Sequence, residues 1–333
     1  MDVLTVNRAT ILALALVTMF VWEVGVVTVT RVSAGTPYHA GELFVSSGNG
    51  KIKHFTADGT LIQTLDTTTN STEETGMALD GGGNLFTTNF TNSTVSKFDS
   101  AGNLLQANFG SGYNNSPESI VFDTTGNMYV GLADGSRDLL KVNAIGAIIA
   151  RYDTITEARG TDWIDLASDQ CTMFYTSEGA LIKRYNVCTN TQLPDFAAGL
   201  PGECRGLRLL ADGGALVACG DAIRRVNFVG AVIQTYDAPN ENSWFVLALN
   251  IDGTSFWTAN TNSGTIFRFD IATAAQLSTF ASSPAHNVAG LAVVGEPRPA
   301  VFDAFHPVSD PWPRRMDRRP DQHGERRPDS HSH

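Results

Sequence analysis

Residues 83–105 read GNLFTTNFTNSTVSKFDSAGNLL, and the segment Val95-Ser96-Lys97-Phe98 within them decides the fold, because it recurs. Its counterparts are Ile52-Lys53-His54-Phe55, Leu139-Leu140-Lys141-Val142, Ile182-Lys183-Arg184-Tyr185, Ile223-Arg224-Arg225-Val226 and Ile266-Phe267-Arg268-Phe269. The copies start at 52, 95, 139, 182, 223 and 266, a period near 43 residues held through six copies. A fixed period of 20–50 residues marks a repeat architecture.

Each copy carries the same pieces. An apolar run such as GMALD (76–80), SIVFD (119–123) or VLALN (246–250) is followed by a turn such as GGGN, TTGN or DGG. A second run follows (LFTTN, MYVGL, MFYTS, LVACG, FWTAN), then a polar loop, the apolar-x-basic-apolar segment, another turn and a fourth run such as LLQANF or VIQTYD. Short β-rich runs separated by Gly-containing turns predict antiparallel meanders. Four strands in every 43 residues or so predict propeller blades, which close into a ring of about four to eight. The first run, ELFVSS (42–47), matches the second strand of a blade, and the missing first strand stands at the other end as GLAVV (290–294). The expected fold is therefore an all-β, six-bladed propeller over 41–296, with strand 290–294 closing the N-terminal blade. Closure of that kind removes free sheet edges.

The pattern G-x-A-x-D, turn, G-N-L-F-x-T, loop, V-x-K-F-D, S-x-G-N-L, clearest from Gly76 to Leu105, resembles the NHL-repeat β-propellers. The resemblance spans the whole repeated segment and implies architecture. Relatives with such rings include binding scaffolds, gluconolactonase-type hydrolases, an amidating lyase and, with one more blade, streptogramin lyases. Fold therefore leaves function to the site.

Outside the repeat, residues 1–34 contain Arg8, the apolar run Ile11–Trp22 and the small triplet Val32-Ser33-Ala34, the order of a secretory signal peptide. Twelve residues are too few to span a bilayer, but the second apolar patch, Val24–Thr30, keeps an uncleaved anchor open as the alternative. Residues 35–40 read as a linker. The expected location is secreted, extracellular or periplasmic, or membrane-attached through the N-terminal segment. From 297 the text turns to Arg, Pro, Asp and His without apolar period, which reads as a disordered tail or the product of a shifted reading frame.

Charge and chemistry narrow the function. Asp and Glu outnumber Lys and Arg by 34 to 23, for a net charge of −11. An acidic chain lacks the basic face that neutralises nucleic-acid phosphates. Within 41–296 the histidines are His54 and His286. His54 falls in the basic column of the third strands, with Lys97, Lys141, Arg184, Arg225 and Arg268. Such a column reads as framework, its stems packed between blades and its charges snorkelling to water. A His-based catalytic metal site, which needs about three ligands, is not supported, and no catalytic residue or resident cofactor is assigned. Asp58-Gly59, Gly83-Asn84 and Asp252-Gly253 resemble calcium-loop pairs but fall in the repeated hairpin turns. FYTSEGALIKRYN (174–186) is similar to the streptogramin-lyase repeat, without that family's His pair. No Gly-x-Ser-x-Gly motif is present.

The cysteines carry more information. Cys171 and Cys188 fall in turns of blade four on one face of the ring, whereas Cys204 and Cys219 lie on the other face, in blade five. Pairing on a common face predicts Cys171–Cys188 and Cys204–Cys219 as disulfides.

A ligand face is expected where the chain enters each first strand. Its residues are Glu74, Glu118, Asp162 beside Trp163, Arg205, Trp244 and His286, the tryptophans adding apolar contact area. The second-to-third-strand loops on the same face carry Asn89, Asn92, Arg137, Glu178 and Asn260, and Asn89 and Asn92 head N-x-T sequons. The expectation is a monomeric, non-enzymatic recognition scaffold for a protein, glycan or small ligand. The alternative is a divalent-cation-dependent hydrolase or lyase, lactonase-like or streptogramin-lyase-like, with calcium in the central channel.

Overall fold

The computed structural model describes residues 35–282 and 288–298. The chain divides into Met1–Ala34 and Gly35–His333. The expected signal segment, His286 and the tail from 299 lie outside the described residues.

Six four-stranded antiparallel blades form the ring. Blade one holds β1 (Leu43–Ser46), β2 (Lys51–Phe55) and β3 (Leu61–Asp66), and blade two holds β4 (Glu74–Leu79), β5 (Leu85–Asn89), β6 (Thr94–Phe98) and β7 (Leu104–Gln106). Blade three runs β8 (Pro117–Phe122), β9 (Met128–Leu132), β10 (Leu139–Val142) and β11 (Ile148–Tyr152). Blade four runs β12 (Ile164–Leu166), β13 (Thr172–Tyr175), β14 (Ile182–Asn186) and β15 (Thr191–Ala197). Blade five comprises β16 (Cys204–Leu209), β17 (Ala215–Cys219), β18 (Ala222–Val226) and β19 (Val232–Tyr236). Blade six comprises β20 (Trp244–Leu249), β21 (Ser255–Asn260), β22 (Thr265–Asp270) and β23 (Gln276–Ala281). The last strand, β24 (Leu291–Val293), returns to blade one and pairs antiparallel with β1, Ala292 opposite Phe44. The expected ring and its closure are both present.

The hairpins show why the Gly-Asn pairs recur. Asp80 Oδ1 accepts from the Gly82 and Asn84 amides and Oδ2 from Asn84 Nδ2. Asp99 and Asp123 repeat the arrangement with Asn103 and Asn127. Gly83 holds the left-handed corner at φ 78°. The carboxylates are spent on their own turns.

Side chains of adjacent blades interleave to form the core. Phe44 and Ile52 of blade one pack with Met77, Leu85 and Phe98 of blade two, and Tyr236 of blade five meets Phe256 and Phe269 of blade six. Near the axis the blades approach so closely that glycine is required. A Cβ on Gly290 would lie 2.3 Å from the Thr75 carbonyl oxygen, and one on Gly206 would lie 2.4 Å from that of Phe245.

The basic column packs differently from the expectation. Four of its charged heads lie over the aromatic residue directly across the hairpin in the same blade, and Arg225 donates across to the Ile271 carbonyl of blade six. Lys97 sits over Phe86, Lys141 over Tyr129, Arg184 over Phe174 and Arg268 over Trp257. Such cation–aromatic pairs contribute about 0.5–1 kcal/mol each at exposed sites. His54 is fully buried, bonded through Nε2 to Glu42 Oε2 at 2.7 Å.

Both predicted disulfides are formed. Cys171–Cys188 ties two turns of blade four, with Cα atoms 5.2 Å apart, and Cys204–Cys219 staples opposed residues of β16 and β17. Two disulfides and no free cysteine among the described residues point to an oxidising compartment. Replacing Cys171 and Cys188 together by Ser is expected to cost about 3 kcal/mol, the loop-closure value for a loop of that length. Urea unfolding of the double variant checks this, and a midpoint equal to wild type contradicts it.

Candidate functional site at the channel mouth

Innermost strands β4, β8, β12, β16, β20 and β24 surround the axis, and the chain enters each from one face, the loop-entry face. Inter-blade hydrogen bonds fix the entries. Thr75 Oγ1 donates to the Pro117 carbonyl, Ser119 Oγ to that of Asp162 and Thr176 Oγ1 to that of Arg205. The small polar residue on one blade thereby sets the position of the charged residue on the next.

Two of the predicted acids meet. Glu118 and Asp162, on neighbouring blades, are almost completely buried and face each other within hydrogen-bonding reach. Burial raises Asp162 well above the ordinary carboxyl value and the charge of Glu118 raises it further; burial raises Glu118 as well. Two carboxyls so placed cannot both ionise readily, so the pair holds a proton between them. Apart from that shared proton, Glu118 Oε2 and both Asp162 carboxyl oxygens find no donor among the described residues.

A chain of alternating charge lies beside them. Arg159 donates to Asp134 through Nε (3.2 Å) and Nη2 (2.6 Å), and its Nη1 stands 3.6 Å from Glu178 Oε1. Arg205 reaches Glu178 Oε1 through Nε at 3.3 Å and Glu203 through Nη2 at 2.8 Å. Arg159 stacks on Phe90 and Arg205 on Phe245, with ring centres 5.2 and 5.3 Å away. Phe90 is the aromatic of NFTNST, so that loop contributes through its ring. Both arginines remain partly open, at 30% and 31% exposure. Each acts electrostatically on Glu118, and Arg159 also on Asp162.

Glu74 stands apart from this group. Its Oε1 accepts the Gly50 amide at 2.9 Å, and its charged neighbours are Glu73 and Asp66. Burial pushes its carboxyl up to about 8. For an acid raised on folding, the protonated native form is favoured. Stability is therefore full below the unfolded value near 4.5 and is lost as pH rises through about 8. Calorimetry at intervals between about pH 5 and pH 8 should show a shallower decline for Glu74→Gln than for wild type. Parallel declines contradict that assignment.

Other predicted positions are placed differently. Trp163 and Trp244 are buried, each 2% exposed, and supply no contact surface. Trp163 packs edge-on against Phe245, and Trp244 packs on Phe267 while its Nε1 donates to Asp237. An indole of that size is more stable filling the inter-blade space than facing water. Asn89 is fully buried and donates to Thr94 and Ser96, so its sequon is closed to a glycosylating enzyme once folded. Asn92 is exposed and donates to the Thr69 carbonyl. Asn260 is spent on its own turn, its Oδ1 accepting the Asn262 and Ser263 amides. Arg137 is exposed, with its charge acting on Asp134. Sequence reasoning missed Arg159, Asp134, Phe90 and Phe245, which lie just outside the repeat positions that drew attention.

Among the described residues no group of three or more His, Cys, Asp or Glu is placed to hold a metal ion. The Glu118–Asp162 pair offers two carboxyls, where calcium takes six to eight oxygen ligands, so these residues do not fit a calcium centre. A cavity lies elsewhere, at the opposite mouth of the channel, around Asp165, Arg208 and Glu296. The charge cluster, not that cavity, marks the loop-entry site, because the unpartnered acceptors are there.

No family model matches the chain, and no curated protein does. Solved structures do match. A chain of the nidogen/laminin complex aligns over 77% of this chain and 99% of its own length, with a TM-score of 0.61 and 13% identity. Virginiamycin B lyase from Staphylococcus aureus aligns over 79% and 91%, at 0.56 and 14%. A streptogramin B lyase aligns over 78% and 86%, at 0.56 and 16%. At these identities the likeness is one of fold, and the fold hosts both complex-forming and lyase proteins.

Proposed function

We propose that this propeller is an exported recognition module whose ligand presents an ammonium or guanidinium group to the loop-entry mouth of the channel. The observation that carries the reading is the buried Glu118–Asp162 pair, in which Glu118 Oε2 and both Asp162 oxygens have no donor beyond the proton the two acids share. Buried polar groups are ordinarily hydrogen-bonded, and a cationic donor supplies what is missing, the charges of Arg159 and Arg205 beside the pair being offset by Asp134, Glu178 and Glu203. Phe90 and Phe245 add flat apolar walls on which a second planar cation can stack. An NHL-type repeat, residues 1–34 as export signal or anchor, 35–40 as linker and 297–333 as tail complete the proposal, with the protein acting as a monomer.

The probe is agmatine, which carries a guanidinium and an ammonium. It should raise the melting temperature in a saturable way, while tetramethylammonium, a cation without N–H donors, should not. Equal shifts with both would reduce the effect to bulk charge, and no shift with agmatine overturns the reading. A chelator separates the divalent-cation hydrolase or lyase. EDTA should leave melting unchanged here, whereas a lower melting temperature restored by calcium would favour the enzyme.

A further inference from the structure

The turn face of the ring, opposite the Glu118–Asp162 mouth, holds a cavity of about 380 Å³. It lies within the size range of small-molecule sites, roughly 300–1,000 Å³. Met77, Ile120, Phe122, Ile164, Leu249 and Val293, from five blades, line it, and all six are buried in the ring. An apolar wall of this kind marks a site when a few polar groups converge on it.

Three do. Arg208 Nε donates to Glu296 Oε1 at 2.8 Å and Nη1 to the Leu207 carbonyl at 2.8 Å. Glu296 Oε1 also accepts the Leu249 amide at 2.6 Å. Asp165 accepts the Leu166 and Leu209 amides at 2.9 and 2.8 Å. Both carboxylates are thus tied to the framework, and they balance the guanidinium they flank. A guanidinium has five N–H donors, and among the described residues Arg208 uses two. Its Nη2 has no protein acceptor there, though Arg208 lines the cavity.

We infer that this cavity is a second binding site, which takes a small, largely apolar, uncharged molecule carrying one hydrogen-bond acceptor for Arg208 Nη2. Charge selects the class. An anion would meet Asp165 and Glu296 beside the arginine, and a cation would meet Arg208 itself together with Arg298, which donates to the Phe122 carbonyl at the rim. A neutral carbonyl or ether oxygen avoids both penalties. This site stands independently of the loop-entry reading, because the two lie at opposite ends of the channel.

The test uses the full chain and the uncharged fluorophore 6-propionyl-2-(dimethylamino)naphthalene, whose ketone oxygen is a hydrogen-bond acceptor, with anionic 8-anilinonaphthalene-1-sulfonate as the comparison. The neutral probe should bind saturably, one per chain, and more tightly than the anionic one. Gly81 lies on the cavity rim, and a Cβ there meets nothing within 4 Å, so Gly81→Trp can cap the mouth without strain. It should weaken the neutral probe by about tenfold or more, the effect of blocking a well-packed contact. Arg208→Lys, which loses the forked donors, should weaken it about fivefold, less than the capping variant. If Arg208→Lys does not fold, Gly81→Trp carries the test alone. Absence of saturable binding, preference for the anionic probe, or full affinity in Gly81→Trp overturns the proposal. The last result would place the dye on exposed outer-strand residues such as Val232 and Ile233.

Discussion

A chain ended after Asn287 should show no cooperative unfolding transition, whereas one ended after Arg298 should unfold at the wild-type denaturant concentration. The shorter chain loses β24, whose Leu291, Ala292 and Val293 are all buried against blade one. It also loses the Ala289 and Gly290 amides that donate to Ser46 Oγ, and Glu296, which holds Arg208 and the Leu249 amide. Strand β1 becomes a free edge although all four of its residues are core, and blades two and six lose their common neighbour. These losses together should exceed about 5 kcal/mol, which is comparable to the whole stability of an ordinary domain. Fluorescence-monitored urea unfolding of both chains decides the matter. A cooperative transition in the shorter chain would mean that the ring does not depend on its closing strand.

The second large effect has opposite signs on stability and on binding. Glu118→Gln with Asp162→Asn keeps shape but replaces an acid pair by amides, which can donate to each other. Removing buried carboxyls that lack donors should leave stability unchanged or raise it. The same change removes the charge that accepts a cationic ligand. A charge-assisted hydrogen bond contributes about 1.5–3 kcal/mol, so agmatine affinity should fall at least tenfold to a hundredfold. A merely structural role for the pair predicts the reverse, a less stable variant that still binds.

How much of this the sequence discloses follows from what repeats. The ring and its closure are legible because apolar runs, tight turns and the basic third-strand position recur every 43 residues or so, and the disulfides because that recurrence places the cysteines on the two faces of the ring. Strand entries such as Glu118 and Asp162 are legible by position, but not their meeting, which depends on inter-blade bonds such as Ser119 to the Asp162 carbonyl. Arg159 lies in the connection between blades three and four and Phe90 in a second-to-third-strand loop whose residues differ from blade to blade, so periodicity is silent about them. Trp163 and Trp244 mislead because they stand at the entries to first strands, while their bulk is directed into the core between blades. The turn-face cavity is invisible in sequence, since it is built from the ends of framework strands of all six blades, which look alike.

The most direct test of the loop-entry site is isothermal titration of agmatine in two buffers of different ionisation enthalpy. A cation entering the Glu118–Asp162 pair displaces the proton held there, so the wild-type protein should release up to about one proton per ligand near neutral pH. The Asp162→Asn variant should release none and bind weakly. Binding with the same heat in both buffers, or unchanged proton release in Asp162→Asn, would contradict recognition through the buried pair.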